Sequence, residues 1–404
     1  MLATRNPPEV QSRHATTSKY RMPRNDPTLL PVLRAIAAEH TPLAAGQLDE
    51  DQVELAVTFG LGSLLRTAAG GDLSVFPSRS RPLIVGSELE AESSRAEMES
   101  ALCQILDESQ AHVGLITLLK GISVSEYYPV PHMRWMGDLD LLVDVHELAD
   151  FERVLRSLGY RPHQSDIPDD FYRDHHHSRP YVHPDSGVRV EAHTSLLPPR
   201  FGIGRSSALG NDNVEVQRTV STFAGREVLR FNKELQLLYI AAHWLYDLNV
   251  SLGLAATGLI DTLYILRDRS HQPDWKLVCS WLVNREVATP LFVLFGYLRR
   301  YGLIEPDGRF TSMLSGAPKS VGPLGVRAMY QIVDTCLDGG FEGRLATPEN
   351  AAIVWRTLAS PTPPLRNFID VPFNLAFPPD HPGRFTLKFH IGRARSLFRY
   401  RSLS

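Results

Sequence analysis

Only three cysteines stand among 404 residues: Cys103, Cys279 and Cys336, far apart and each in an apolar helical setting. That scarcity excludes a disulfide framework or a cysteine-built zinc site and reads all three as reduced core residues. No apolar run reaches the roughly 20 residues that a membrane helix needs, and the N-terminus lacks the apolar stretch of a signal peptide, so the cytoplasm is the expected compartment. Neither sign of charge is in excess: 42 Lys and Arg against 45 Asp and Glu leave a net charge of −3. Such a balance gives no global reason to expect nucleic acid as a partner. Internal repeats and low-complexity tracts are absent as well. What remains is 43% hydrophobic and 22% charged, an ordinary globular composition on a chain long enough for two or three structural units.

The most informative stretch is residues 137–143, Gly-Asp-Leu-Asp-Leu-Leu-Val. It alternates as a strand does, which puts Asp138 and Asp140 on one face, roughly 6.5–7 Å apart along the chain. The apolar run Leu141-Leu142-Val143 anchors the strand behind them. Upstream, residues 113–119 read as a short buried strand ended by Lys120-Gly121. Downstream, residues 188–192 alternate again, with Val188, Val190 and Ala192 on one face and Arg189, Glu191 and His193 on the other. If this strand pairs beside the Asp strand, Glu191 faces the same cleft at an inter-strand spacing of roughly 4.8 Å. Three carboxylates on two adjacent strands make a cradle for hard divalent cations, the arrangement that two-metal phosphoryl or nucleotidyl transfer uses. A solvated strand edge is the plainer reading of the Asp-x-Asp pair alone.

Taken in order, Leu119-Lys120-Gly121, Tyr127-Tyr128-Pro129, Arg134, Gly137 to Val143, Leu158-Gly159-Tyr160 and Val190-Glu191-Ala192-His193 resemble the uncharacterised nucleotidyltransferase family. That family belongs to the superfamily with the DNA polymerase beta-like palm. The resemblance continues through Leu238 to His243, Leu259-Ile260-Asp261 and Asp274-Trp275, and covers roughly residues 30–301. It implies an α/β (α+β) fold, a polymerase-beta-like palm with a mixed sheet, flanked by a mainly helical N-terminal segment and a helical C-terminal domain. It also implies Asp138 and Asp140 as metal-binding acids, Glu191 as the third carboxylate, Mg2+ or Mn2+ as cofactor and an NTP as donor. Where the superfamily places Gly-Ser on the helix before the acids, this chain has Lys120-Gly121, as its own family does.

Along the chain, residues 1–28 carry arginines among Pro, Ser, Thr and Asn and are expected to be disordered. Helical spacing marks 29–40, 51–68, 91–110 and 146–158. The expected units are an N-terminal helical segment at 29–95, the nucleotidyltransferase core at 96–200 and a hairpin connector at 201–232. A helical domain at 233–310 and an extension at 311–404 follow. The hairpin is read from 214–220 and 227–231 around Ala224-Gly225. Helices follow at 235–248, 254–267, 275–284 and 289–301, and Pro-rich breaks at 361–364 and 378–382 punctuate the rest.

Several further residues are candidates around a cleft. Lys120 follows a buried strand and precedes Gly121, and reads either as a triphosphate contact or as a solvated lysine at a strand end. Arg134, four residues before Asp138, points to a phosphate or to Asp138 itself. His193 shares the Glu191 face and reads as an outer partner of the acids, a base, or a satisfied structural histidine. His243 and Asp261, on successive apolar helices, are either hydrogen-bonded core members or the helical wall of the cleft, with Asp247 as a companion. In the tract His175-His176-His177 at most two rings could share a metal without a special turn, since neighbours on an extended chain face opposite ways; with Asp169, Asp170 and Asp174 beside it, the segment reads as a solvated polar loop ahead of a role near the cleft.

The expected activity is Mg-dependent transfer of a nucleoside monophosphate from an NTP to the hydroxyl of a small molecule, peptide or protein. A catalytically degenerate nucleotide-binding scaffold and a metal-dependent phosphohydrolase are the competing readings. The acidic stretch 166–174 argues against a polyanionic acceptor, while the basic, aromatic tail at 383–404 is the route by which RNA would be recruited. Because clustered acids repel, Asp140→Asn is expected to abolish transfer while leaving thermal stability intact or raised.

Overall fold

The computed structural model describes residues 28–38, 41–164, 172, 175–198, 203–250, 255–319 and 322–338. The expected disordered N-terminus except Thr28, all of the acidic stretch 166–174 except Tyr172, the Pro-rich breaks and the basic tail lie outside the described residues.

The chain opens with helices α1 (Leu30–Ala37), α2 (Glu50–Thr58) and α3 (Gly62–Ala68), then the long α4 (Arg81–Ser109). The single helix expected at 51–68 is two. Gly60 takes a φ of +73°, and a Cβ there would lie 2.9 Å from Trp135 Cβ, so only glycine serves at this break. α2 starts on a reciprocal cap, Gln52 N to Asp49 Oδ1 at 2.9 Å and Asp49 N to Gln52 Oε1 at 3.0 Å. α4 begins ten residues before its expected start, with proline in its first turn, where no backbone donor is needed.

Next come β1 (Thr117–Leu118), α5 (Lys120–Val124), β2 (Leu139–Leu142), α6 (Leu148–Ser157), β3 (Arg161–Pro162), β4 (Tyr181–Val182) and β5 (Arg189–His193). The strand expected at 113–119 shrinks to two residues. Gly114 N is taken by Glu147 Oε1 at 3.0 Å rather than by a ladder partner. After α7 (Asn211–Val216), the strands β6 (Arg218–Phe223) and β7 (Arg226–Phe231) form the hairpin. Its Ala224-Gly225 turn has positive φ at both residues, 47° and 80°, as a two-residue loop between twisted strands requires. Residues 214–216, expected as strand, lie in α7 instead, which is held by Asn213 Nδ2 donating to Ala208 O at 2.7 Å.

These seven strands form one mixed sheet, in the order β3-β4-β5-β2-β1-β7-β6. β2 is antiparallel to β1 and parallel to β5, and β7 runs parallel to β1. The hairpin read as a connector therefore completes the sheet's far edge. Alternation splits the side chains of β2 and β5. Leu139, Leu141, Val190 and Ala192 bury, at 0% exposure, in a core shared with Leu102 and Ile105 of α4 and Phe151 and Leu155 of α6. At about 2 kcal/mol for each large apolar side chain, a one-residue slip would forfeit this core, so the register is firmly set. The intervening residues must then face the other way.

The chain continues through the helices α8 (Lys233–Val250), which packs on β7, α9 (Ala255–Arg267), α10 (Trp275–Trp281), α11 (Arg285–Arg300), α12 (Gly308–Gly316) and α13 (Pro323–Leu337). They share a second core with α1 to α3. α13 returns to the start of the described chain, where Leu29 N donates to Leu337 O at 2.9 Å. Cys279 and Cys336 are buried free thiols and Cys103 is half-buried and free. Among the described residues, no helix is long and apolar enough to cross a membrane.

Candidate functional site

The parallel register sets Asp140 directly opposite Glu191 and Leu142 opposite His193. Since Leu139, Leu141, Val190 and Ala192 point into the α4/α6 core, Asp140, Glu191 and His193 emerge together on the opposite face. Ligand atoms of these three lie within 4.8 Å of one another. Asp138 precedes Asp140 by two residues, just ahead of the strand, and is half-buried.

Asp140 is 3% exposed and doubly compensated. Lys120 Nζ donates to its Oδ1 at 2.8 Å, and His193 Nε2 lies 2.8 Å from the same oxygen. A carboxylate only accepts, so the proton sits on His193 Nε2, and the ring holds Asp140 in place. Burial raises the Asp140 carboxyl, but Lys120 and the His193 hydrogen bond outweigh it and keep the group well below the usual carboxylate range. Burial drives His193 down to about 4, so it stays neutral. Burial and Asp140 press Glu191 upward, yet His177, Lys120 and His193 leave it below its ordinary value. Arg189 also pairs with Glu191. Asp138 absorbs the imbalance: burial, then the charges of Asp140 and Glu191, push it up to about 7. A cradle in which one of three acids is driven toward its neutral form is short of positive charge, and its oxygen donors fit a hard divalent cation.

A cavity of about 200 Å³ opens in front of Asp138 and Asp140. Lys120, Gly121, Arg134 and Trp135 line it from the sheet side, and Tyr239, His243 and Asp261 line it from α8 and α9. Larger clefts of about 480 and 780 Å³ lie elsewhere, and none of the three carboxylates lines either, so chemistry rather than size selects the smaller one. Gly121 permits the close approach here: a Cβ would lie 2.6 Å from Met136 Cγ. Arg134 turns to Asp261 instead of Asp138, with Nε to Oδ1 at 2.7 Å and Nη2 to Oδ2 at 3.0 Å. Tyr128 Oη donates to the same Asp261 Oδ1 at 2.5 Å. Burial works against the Arg134 charge, but Asp261 overrides it and raises its pKa. His243 is half-buried, its ring 5.8 Å from that of Tyr239. The Asp247 side chain lies outside the described residues.

The histidine tract is not a solvated loop. His176 is 2% exposed, and its ring lies 5.1 Å from His193, with His177 at 5.3 Å. A bend at 175–176 followed by a bridge from His177 to His193 folds the tract onto β5. His177 Nε2 reaches within 3.8 Å of Glu191 Oε2. Spacing along an extended chain misses such a bend, although three adjacent histidines were themselves the signal.

A family model described as an uncharacterised nucleotidyltransferase matches residues 53–301, well over half of the chain. The chain belongs to this family. The matched span of this nucleotidyltransferase family runs from α2 to the end of α11 and contains every residue placed around the cavity. Among solved structures, the chain is similar to an antigenic nucleotidyltransferase-like protein from Paracoccidioides brasiliensis. The two share 14% identity over 55% of this chain and 94% of that one, with a TM-score of 0.35. None of the curated proteins matches the chain.

Proposed function

We propose that this family member transfers a nucleoside monophosphate from an NTP to an acceptor hydroxyl and releases pyrophosphate. The observation that carries the reading is the Asp140–Glu191 register, which gathers two acids from parallel strands with Asp138 beside them at a cavity mouth. Asp138, Asp140 and Glu191 are the residues to hold Mg2+ or Mn2+. When bound, such an ion neutralises triphosphate charge and lowers the pKa of the attacking hydroxyl.

The rest falls to the chain's own groups. His193 keeps the Asp140 carboxylate oriented through its Nε2 proton. Lys120, at the start of α5 and on the cavity wall, supplies an ammonium for phosphate oxygens. Arg134 is held by Asp261 and Tyr128, so it gives the cavity a rigid wall and adds positive potential near the acids. The catalytic gain then comes from positioning and charge stabilisation without a covalent enzyme intermediate. A small cavity lined by acids and aromatic rings suits a small molecule, or a side-chain hydroxyl of a peptide or protein, better than a polyanion.

One observation favours a second reading. Lys120 already occupies Asp140 as a counter-ion, which would suit a nucleotide-binding scaffold without turnover. The test is incubation with α-labelled nucleotides, Mg2+ and cell extract, followed by mass spectrometry of any labelled product. A labelled acceptor that Asp140→Asn abolishes supports transfer. Nucleotide binding without label supports the scaffold, and free nucleotide alone points to hydrolysis.

A further inference from the structure

We propose that His175, His176 and His177 form a second metal site, built of nitrogen donors and suited to Zn2+ or a similar transition-metal ion, beside the carboxylate centre. One ligand atom from each lies within 4.8 Å of the others. Tetrahedral zinc with nitrogen bonds of about 2.0–2.1 Å needs donors roughly 3.3 Å apart, so the three must draw together to close on an ion. The rings already crowd together, with centroids 4.2, 4.3 and 4.6 Å apart.

The tract is prepared as a ligand set. His177 Nδ1 lies 2.7 Å from Ser178 O, which accepts a hydrogen bond from the Nδ1 proton and so leaves the Nε2 lone pair for a metal. The backbone is pinned as well: His176 O accepts from Thr194 N at 2.9 Å and Ser195 N at 3.3 Å, and Ser178 N donates to Ala192 O at 2.8 Å. An ion here would clip this segment to the end of β5. Glu191 Oε2, 3.8 Å from His177 Nε2, is, among the described residues, a carboxylate within reach for a fourth position.

Donor chemistry separates the two sites. Three imidazoles favour zinc-class ions and reject Mg2+, whereas the carboxylates accept Mg2+. The experiment titrates Zn2+ into the full chain by calorimetry under excess Mg2+, with Co2+ absorption as a reporter of tetrahedral nitrogen ligation. The expected result is one Zn2+ per chain, weakened by His175→Ala beyond the roughly 10–100-fold that losing an outer partner costs, and unaltered by Asp138→Asn. Equal affinity in His175→Ala, or Zn2+ displaced by Mg2+, overturns the proposal. Should His175→Ala not fold, X-ray absorption on the wild-type zinc complex decides. Three nitrogen neighbours at about 2.0–2.1 Å support the site, and an oxygen-dominated shell refutes it. Neither readout depends on nucleotide transfer.

Discussion

Lys120 Nζ lies 2.8 Å from Asp140 Oδ1, and the lysine makes this contact from a left-handed backbone, φ 43°. A non-glycine residue in that region costs on the order of 1 kcal/mol, so the ion pair and the start of α5 must offset it. The side chains are 21% and 4% exposed, which makes this a largely buried pair. Lysine thus supplies one positive charge to a cradle of three acids, in the position from which a divalent cation or a phosphate would draw it.

Lys120→Met should consequently destabilise the metal-free protein by about 3 kcal/mol, the lower end for stripping a buried charge of its partner. Mg2+ should raise the melting temperature of this variant more than that of the wild type, because the ion replaces the missing charge. Thermal melts with and without Mg2+ check both. Equal Mg2+ shifts in the two proteins would show that Asp140 takes no part in binding the ion.

Asp138 carries the repulsion of the cradle, and its pH dependence follows. Its carboxyl is raised from 3.8 to about 7 in the folded state, so the cost is absent below the unfolded value. The cost then grows as pH rises between the two and is complete above about pH 7. Asp138→Asn should therefore stabilise the metal-free protein at about pH 8, with the gain fading toward about pH 4. Unfolding titrations across that range measure it, and a gain independent of pH would contradict the assignment.

The sequence made the acids legible because a period of two is a robust signal once an apolar core claims Leu139, Leu141, Val190 and Ala192. Alternation set Glu191 toward the same cleft on the condition that its strand lies beside the Asp strand, and the register of β2 with β5 meets that condition. What it hid was the distribution of charge. Repulsion was expected to ease on changing Asp140, yet Lys120 and His193 compensate Asp140 and leave Asp138 strained. His193 lies on the face that alternation gave it, whereas Lys120 reaches Asp140 from the turn after β1, which periodicity does not encode. Arg134 likewise was read toward a phosphate or Asp138, but Asp261, 127 residues further on, holds it. α11 was expected from Thr289 but begins at Arg285, because Asn284 caps it and Pro290 is accommodated inside the helix.

Lys233, fully buried at the start of α8, donates to Asp268 O at 2.6 Å and His271 O at 2.5 Å and pairs with Asp268 Oδ2 at 2.7 Å. Burial opposes the Asp268 charge, but the Lys233 and Ser270 hydrogen bonds lower its pKa to about 2. A depressed carboxyl gives stability that is fully present above its unfolded value and is lost as pH falls toward about 2. Asp268→Asn should remove about 2 kcal/mol at neutral pH and flatten the acid limb of the stability curve. Urea unfolding at neutral and acid pH checks this, and a parallel acid limb in the variant would rule it out.

The Arg134–Asp261 pair joins the loop before the acids to α9 across the cavity, with both oxygens gripped by one guanidinium. Its side chains are 13% and 5% exposed, so removing either partner leaves a buried charge and should cost about 3–5 kcal/mol. Arg134→Met together with Asp261→Leu removes both charges at once and should recover much of that loss. A double-mutant cycle by urea unfolding reads the coupling. If the guanidinium serves the cavity as well as the fold, the refolded double variant should bind NTP more weakly than the wild type, in a manner that added salt diminishes. Nucleotide affinity unchanged in the double variant would confine the pair to a structural role and leave Lys120 as the cation that meets the phosphates.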